Sequence, residues 1–228
     1  MSVKVGVVVF PGTNCERDCL HAFSLAGAEP RLIFHLEESL GEADLVVLPG
    51  GFAHGDYLRT GALARFSPVM QAVRRHGEDG GLVLGVCNGF QILCEAGLLP
   101  GALRHNAGLK FLCKWVGVRV ERADSPFTRR AAAGEELRLP INHFEGNFYC
   151  EPEELRRIEE RGQVLLRYTD NPNGSVADIA GVCNEQGNVF GLMPHPERAC
   201  EPALGCTDGL QIIGSALDSA GLSRAVLA

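Results

Sequence analysis

The chain has 228 residues, 46% of them hydrophobic, and a formal net charge of −7. This length and composition predict a single domain over residues 1–228 with a substantial core. No basic cluster offsets the acidic balance, which excludes a nucleic-acid backbone as the ligand. No apolar run approaches the roughly 20 residues of a membrane span, and the first residues form a strand pattern without a charged leader, so we expect a cytoplasmic protein that does not enter membranes.

Cysteine usage and glycine loops limit the cofactor classes. The nine cysteines are an odd number, with no C-x-x-C pair and no zinc-ligand spacing. This pattern predicts reduced thiols and no metal site. The chain also lacks a G-x-x-x-x-G-K-[ST] loop and a G-x-G-x-x-G fingerprint. We therefore expect no nucleotide and no other cofactor in this chain.

The first part of the chain alternates strand and helix signals. Strand signals lie at residues 3–10, 31–34, 44–48 and 82–86. Asn14 is the expected N-cap of the first helix, and a second helical segment covers residues 61–76. The resulting βαβαβαβ order predicts an α/β fold, with a mostly parallel open sheet, helices on both faces and ligand loops at the carboxyl ends of the strands.

Beyond Gly97 the strand signals become shorter and turn residues separate them. They lie at residues 115–120, 136–141, 163–168, 176–182 and 189–192. We interpret all five as a smaller antiparallel addition to the same core. Two further helices are predicted near residues 153–161 and 208–220.

The strongest chemical signal is Cys87, which stands between Gly85 and Gly89 where an apolar strand pattern gives way to a helical one. Small residues on both sides of a sharp strand-to-helix turn are typical of a strained nucleophile elbow. The N-terminus of the helix also favours a thiolate. Many cysteines are only small buried apolar residues, but the flanking glycines favour a nucleophile here.

A cysteine nucleophile needs a base, and His195 is the best candidate among the seven histidines. It follows a strand signal and lies between two prolines. Glu197 is two residues further, so in an extended segment it would point to the same side and hold the second imidazole nitrogen. Spacing alone favours an ordinary surface loop. The cysteine elbow at the same sheet edge makes a triad the better interpretation.

Acyl transfer also needs two N–H donors for the oxyanion. The residue after the nucleophile, Asn88, offers one. The Gly50-Gly51 turn offers a second, because a backbone without side chains can approach closely. On its own this glycine pair would be only a tight turn after a strand.

These residues resemble a known family, the class I (triad) glutamine amidotransferases. The elbow of that family reads Gly-x-Cys-x-Gly-x-Gln, and its triad closes with His-x-Glu. The matching residues are Gly85, Cys87, Gly89, Gln91, His195 and Glu197. Along nearly the whole chain, the motifs resemble the glutaminase subunits of phosphoribosylformylglycinamidine synthase. The motifs lie at residues 10–15, 49–52, 55–59, 85–91, 171–175, 193–198 and 207–210.

The resemblance implies a flavodoxin-like α/β fold and a role for each matching residue. Cys87 would attack the side-chain amide of glutamine, His195 would be the acid and base, and Glu197 would orient it. The backbone N–H groups of Gly51 and Asn88 would form the oxyanion hole. The implied substrate contacts are Gly50, Phe52, Gln91, Asn142, His143 and Phe144. The family pattern in the last region is closer to Ala-His-Gly-Glu-Gly, so Asn142 and Phe144 depart from it, and a purely structural loop is an equal alternative there.

The resemblance also implies partners. L-Glutamine would be hydrolysed to glutamate and ammonia, and the ammonia would pass to a synthetase subunit that converts formylglycinamide ribonucleotide to formylglycinamidine ribonucleotide in purine (IMP) biosynthesis. ATP and Mg²⁺ are then expected on that partner, and a small accessory subunit is a further candidate. Three alternatives stay open: the glutaminase subunit of another synthetase of this class, a cysteine hydrolase or peptidase on the same fold, and a regulatory domain.

Overall fold

The computed structural model describes the backbone of residues 2–227 and the side chains of residues 2–221. The strands are β1 (Lys4–Val9), β2 (Glu29–Phe34), β3 (Leu45–Leu48), β4 (Leu82–Val86), β5 (Ala102–Arg104), β6 (Leu112–Val120), β7 (Glu136–His143), β8 (Asn147–Tyr149), β9 (Val164–Tyr168), β10 (Ile179–Cys183) and β11 (Val189–Leu192). The helices are α1 (Glu16–Leu25), α2 (Pro68–Glu78), α3 (Asn88–Glu95), α4 (Pro152–Glu160) and α5 (Gly209–Leu227). Short 3₁₀ helices include Ala53–Asp56 and Pro196–Arg198.

One nine-stranded sheet organises the chain, in the order β2-β1-β3-β4-β11-β10-β9-β6-β7. The pairs from β2 to β11 are parallel and have the flavodoxin-like order, whereas the pairs from β11 to β7 are antiparallel. The predicted α/β fold, with a mostly parallel sheet and an antiparallel addition, is confirmed. We call the first five strands in this order the parallel half and the other four the antiparallel half.

Strand β11 corrects the interpretation of the second part of the chain. It pairs in parallel with β4 on one side and antiparallel with β10 on the other. The prediction that it belongs only to the antiparallel addition was therefore wrong. All four residues of β11 are buried, because both faces of the strand are covered. A continuous apolar run of this kind is typical of a central parallel strand.

Several predicted boundaries also move. The helix expected from residue 61 begins only at Pro68, because Gly61 has a left-handed backbone and proline suits the first helical turn. The N-cap of α1 is Cys15 rather than Asn14, and no side chain caps this helix end. The strand expected over residues 176–182 starts with a 3₁₀ turn and extends only from Ile179.

The core surrounds the central strands, which carry β-branched and leucine side chains. Strands β3, β4 and β11 are buried at every position. Burial on both faces explains why these strands are continuous apolar runs rather than alternating ones. Among the described residues, no helix is long and apolar enough to span a membrane.

Candidate active site

Cys87 occupies the turn between β4 and α3, with φ 51° and ψ −106°. Its backbone N–H donates to the Leu192 carbonyl at 2.8 Å, and its own carbonyl accepts from Gln91 at 3.1 Å. A positive φ is a strained conformation for a residue with a Cβ, and it is retained only where the surroundings enforce it. Here β11 and the first turn of α3 hold the strained elbow.

The first turn of α3 lies directly on the end of β3. A Cβ on Gly89 would overlap the carbonyl oxygen of Leu48. Only glycine therefore lets the helix start close enough to the sheet to put Cys87 above it. Cys87 itself is 5% exposed, so it lies beneath the surface rather than on it.

His195 and Glu197 meet through a short hydrogen bond. His195 Nδ1 lies 2.6 Å from Glu197 Oε1, and both side chains are almost completely buried. The backbone N–H of His195 donates to Pro140 on β7 at 2.8 Å, which fixes the base to the antiparallel half. Glu197 reaches His195 from a 3₁₀ turn, Pro196–Arg198, and not from an extended segment as predicted. Pro196 favours this turn because its φ is already helical.

The charge of Glu197 decides the proton affinity of the imidazole. Burial on its own lowers the pKa of His195, but Glu197, Cys87 and Cys15 outweigh burial and raise that pKa well above its usual range. Glu197 accepts at Nδ1, so the other ring nitrogen, Nε2, is the one left for chemistry. Nε2 is buried and has no hydrogen-bond partner within the described part of the chain.

Gly50 is the point on which the site converges. A Cβ there would lie 2.8 Å from His195 Cε1, 3.0 Å from Cys15 Sγ and 3.5 Å from Cys87 Cβ. No larger residue fits at this position without displacing the nucleophile or the base. Gly51 follows in an isolated bridge with Thr13, which holds the loop after β3 against the loop after β1.

The side chain of Asn88 connects this glycine loop to the elbow. Its Oδ1 accepts from the backbone N–H of Ala53 at 3.0 Å, and its Nδ2 donates to Gln91 Oε1 at 2.8 Å. Gln91 in turn donates from Nε2 to the Glu145 carbonyl at 2.6 Å. These amides form a continuous chain that crosses from the loop after β3, over α3, to the loop after β7.

The predicted contacts at residues 142–144 lie around this chain. The carbonyl of Asn142 is 3.8 Å from Cys87 Sγ, whereas Phe144 is 37% exposed. His143 is buried, and its Nδ1 lies 3.1 Å from Asn106 Oδ1. Burial and then the charge of His195 lower the pKa of His143 to about 3, so this imidazole is neutral. Phe52, in the loop after β3, is 46% exposed.

Two buried asparagines that were not predicted as site residues hold this loop. Asn106 Oδ1 accepts from the Gly146 N–H at 3.1 Å, and its Nδ2 donates to the His143 carbonyl at 3.0 Å. Asn173 donates to the Gly146 carbonyl at 2.7 Å. The Asn-Pro-Asn-Gly-Ser motif contained the signal for Asn173, since asparagine-rich turns use their side chains locally. Nothing in the local sequence marks Asn106.

Cys15 was also not among the predicted site residues. Its Sγ, a ring nitrogen of His195 and a carboxylate oxygen of Glu197 lie within 4.8 Å of one another. Such a donor set is compatible with a metal ion. The absence of a metal therefore stays a prediction.

Two clefts lie beside the site. One, of about 310 Å³, is lined by residues that include Trp115, Asn142, His195 and Arg198. The other, of about 500 Å³, lies next to the amide chain and includes Arg59, Arg104, His105 and Glu145. The first cleft reaches the end of β7 at Asn142, and the second reaches the loop after β7 at Glu145.

Comparison with known families decides the class. The profile of the CobB/CobQ-like glutamine amidotransferase domain matches residues 2–205. This chain is a glutamine amidotransferase. The match spans the Cys87 elbow and the His195-Glu197 pair, and the resemblance inferred from the motifs is confirmed.

Two relatives match the amidotransferase along nearly its whole length. It is 60% identical over 218 residues to phosphoribosylformylglycinamidine synthase subunit PurQ of Rubrobacter xylanophilus, covering 96% of this chain and 99% of the relative. It is 54% identical to the same subunit of Salinibacter ruber, covering 99% and 100% of the two chains.

Solved structures agree with these relatives. A chain in the structure of PurLQS from Thermotoga maritima matches the amidotransferase with a TM-score of 0.89 and 46% identity, covering 96% of this chain and 99% of that one. A Thermoplasma acidophilum chain described as a putative GMP synthase subunit matches with a TM-score of 0.70 at 15% identity. The second match shows only that the fold is shared.

Proposed function

We propose that this chain is the glutaminase subunit of phosphoribosylformylglycinamidine synthase. It hydrolyses L-glutamine and delivers ammonia to a synthetase subunit in the cytoplasm. The observation that carries the chemistry is the convergence of Cys87 and His195 on Gly50, with Glu197 bonded to the far side of the imidazole. The full-length similarity to PurQ subunits carries the choice of partner.

In the proposed reaction, the Cys87 thiolate attacks the side-chain carbonyl carbon of glutamine. His195 gives its proton to the departing nitrogen, ammonia leaves, and a thioester to Cys87 remains. His195 then takes a proton from water, which attacks the thioester and releases glutamate and the thiol. Glu197 supports the imidazolium in both steps and fixes which nitrogen faces the nucleophile.

The oxyanion of each tetrahedral intermediate needs preorganised donors. We assign this role to the backbone N–H groups of Gly51 and Asn88, which belong to the loop after β3 and the first turn of α3. The Asn88 side chain supports the assignment because it bonds Ala53, two residues after Gly51, and so ties the two donors into one unit. Gly50, Phe52, Gln91, Asn142, His143 and Phe144 are the proposed surroundings of the substrate.

The amidine-forming reaction requires ATP to activate the oxygen that leaves. The sequence of this chain contains neither of the two common phosphate-binding loops, so we assign ATP, Mg²⁺ and the ribonucleotide to the synthetase. A small accessory subunit is a further proposed partner. Exposed apolar side chains beside the glycine loop, including Tyr57 at 73% and Leu58 at 85% exposure, are suited to a protein contact.

The test uses Cys87→Ala in the complex assembled with the synthetase. Formation of formylglycinamidine ribonucleotide from glutamine should fall to background, whereas the reaction with concentrated ammonium salt should continue at the wild-type rate. Loss of both reactions in an assembled complex would contradict the division of labour. Ammonia release from glutamine by the variant would contradict the role of Cys87.

A further inference from the structure

The mechanism leaves one buried thiol beside the base unexplained. Cys15 is 2% exposed and is the last residue before α1. Its backbone N–H donates to the Gly50 carbonyl at 3.2 Å, so it is fixed to the residue on which the site converges. Its sulfur therefore occupies a defined place, and this place is next to His195.

The sulfur lies near the imidazole, within 4.8 Å of one of the ring nitrogens of His195. Both Cys15 Sγ and His195 Cε1 lie within 3.0 Å of the point where a Cβ on Gly50 would stand. Cys87 approaches the same point with its Cβ. The imidazole is therefore bonded at Nδ1 to Glu197 and lies beside the Cys15 sulfur, while Nε2 has no hydrogen-bond partner among the described residues.

Arg198 fixes the sulfur from the other side. Its Nη2 donates to Cys15 Sγ at 3.1 Å, and its Nε donates to Asp18 on α1 at 3.0 Å. The guanidinium is thereby anchored to the helix that Cys15 begins. The thiol in turn donates to Asn14 Oδ1 at 3.2 Å, so hydrogen bonds to two side chains fix the position of the sulfur beside the imidazole.

We propose that Cys15 is a positioning residue for His195: its thiol sets the ring orientation in which Nε2 meets Cys87. The proposal rests on the proposed function, in which His195 is the base. Cys15 is the last residue of the Phe-Pro-Gly-Thr-Asn-Cys motif at residues 10–15, so the proposal assigns this motif a role in the glutaminase site.

The charged and titratable groups that face His195 are Glu197, Cys87, Cys15 and His143, with Arg198 behind the Cys15 sulfur. Cys15 is among the groups that raise the pKa of His195. Its removal should lower that pKa, so the imidazolium should lose its proton at a lower pH. The alkaline limb of the kcat/KM profile for glutamine should then move to lower pH.

The experiment compares Cys15→Ala, Cys15→Val and Cys15→Ser in the full chain in complex with the synthetase. Valine fills the volume of the cysteine side chain but has no thiol. Cys15→Val therefore still tests the proposal if Cys15→Ala lowers the stability of the protein. We expect Cys15→Ala and Cys15→Val to lower kcat at least about tenfold while KM for glutamine stays within about twofold, because small displacements of a catalytic group reduce the rate strongly. Serine, which keeps a polar atom there, should recover most of the loss and the wild-type pH profile.

Cys183→Ala is the matched control, because Cys183 is equally buried, at 2% exposure, but lies on β10. It should leave kcat and the pH profile unchanged.

A Cys15→Val enzyme with wild-type kcat, or with a loss of kcat that is the same at every pH, would overturn the proposal. If Cys87→Ala still hydrolysed glutamine, the proposed function itself would fail. An inactive Cys87→Ala together with an unaffected Cys15→Val would refute only the role of Cys15.

Discussion

The two halves of the sheet contribute different things to one site. The parallel half supplies the Cys87 elbow and the glycine loop, and both are made by backbone that approaches closely. The antiparallel half supplies buried side chains, such as Asn106, Asn173 and His143, that hold the loop over the elbow. The comparison teaches that the reactive group depends on glycine and backbone strain, whereas its surroundings depend on hydrogen bonds between buried polar groups. Substitutions in the two halves should therefore have different effects on activity and on stability.

The largest effect should come from breaking the connection between the halves at His195. We expect His195→Ala to lower kcat by about 10⁶-fold, and Glu197→Gln by about 10⁴-fold, because orienting a base contributes less than the base itself. Steady-state kinetics on both variants measures the difference. Equal and total loss in both would assign Glu197 a role beyond orientation.

The next effect tests the close packing of the parallel half. Gly89→Ala should destabilise the fold by about 3 kcal/mol or more, because the new methyl group overlaps the Leu48 carbonyl and neither backbone can move freely. Urea unfolding gives the free energy. Gly108→Ala is the control, since no atom of the described residues lies within 4 Å of a Cβ at that position. A change of less than 1 kcal/mol at Gly89 would contradict the close contact.

A smaller effect tests the polar contacts of the antiparallel half. Asn173→Ala removes the bond to the Gly146 carbonyl and the bond that Oδ1 accepts from the Ser175 N–H at 3.1 Å. Leaving such buried groups without partners should cost about 2 kcal/mol and raise KM for glutamine more than it lowers kcat. Gln71→Ala on the exposed face of α2 is the control. An unchanged KM for glutamine would show that this loop does not contribute to substrate binding.

The last effect is a dependence of stability on pH that belongs to His143 and appears only on acidification. Its pKa is about 3 in the folded chain and ordinarily 6.5, so below pH 6.5 the unfolded chain binds a proton that the folded chain excludes. Stability should therefore fall on acidification, by roughly 2 kcal/mol between pH 7 and pH 5 from this group alone. His143→Gln should remove that part of the loss in unfolding curves, whereas the exposed His21→Gln should not. Parallel curves for wild type and His143→Gln would refute the neutral, buried imidazole.

Much of the parallel half could be predicted, because its signals are local. Buried parallel strands are continuous apolar runs, and the glycines around Cys87 mark the elbow directly. The position of β11 could not be predicted in the same way. Four buried residues fit either kind of pairing, and only the tertiary structure inserts them between β4 and β10.

The parts of the site that were missed depend on long-range contacts. Cys15 and His195 are far apart in the chain and meet only because the loops after β1, β3 and β11 share one sheet edge. Asn106 acts on a loop that follows β7. The turn at Pro196–Arg198 was a local error of a different kind, because proline fits both an extended segment and a 3₁₀ turn.

The position of β11 also affects the order in which the site can appear during synthesis. The ribosome makes the Cys87 segment early, but β11, which helps to hold the elbow and leads to His195, emerges near the end of the chain. A nascent chain therefore holds a nucleophile without its base until β11 inserts between β4 and β10, and domains whose contacts are distant in sequence close late. Unfinished chains consequently cannot consume glutamine by this chemistry.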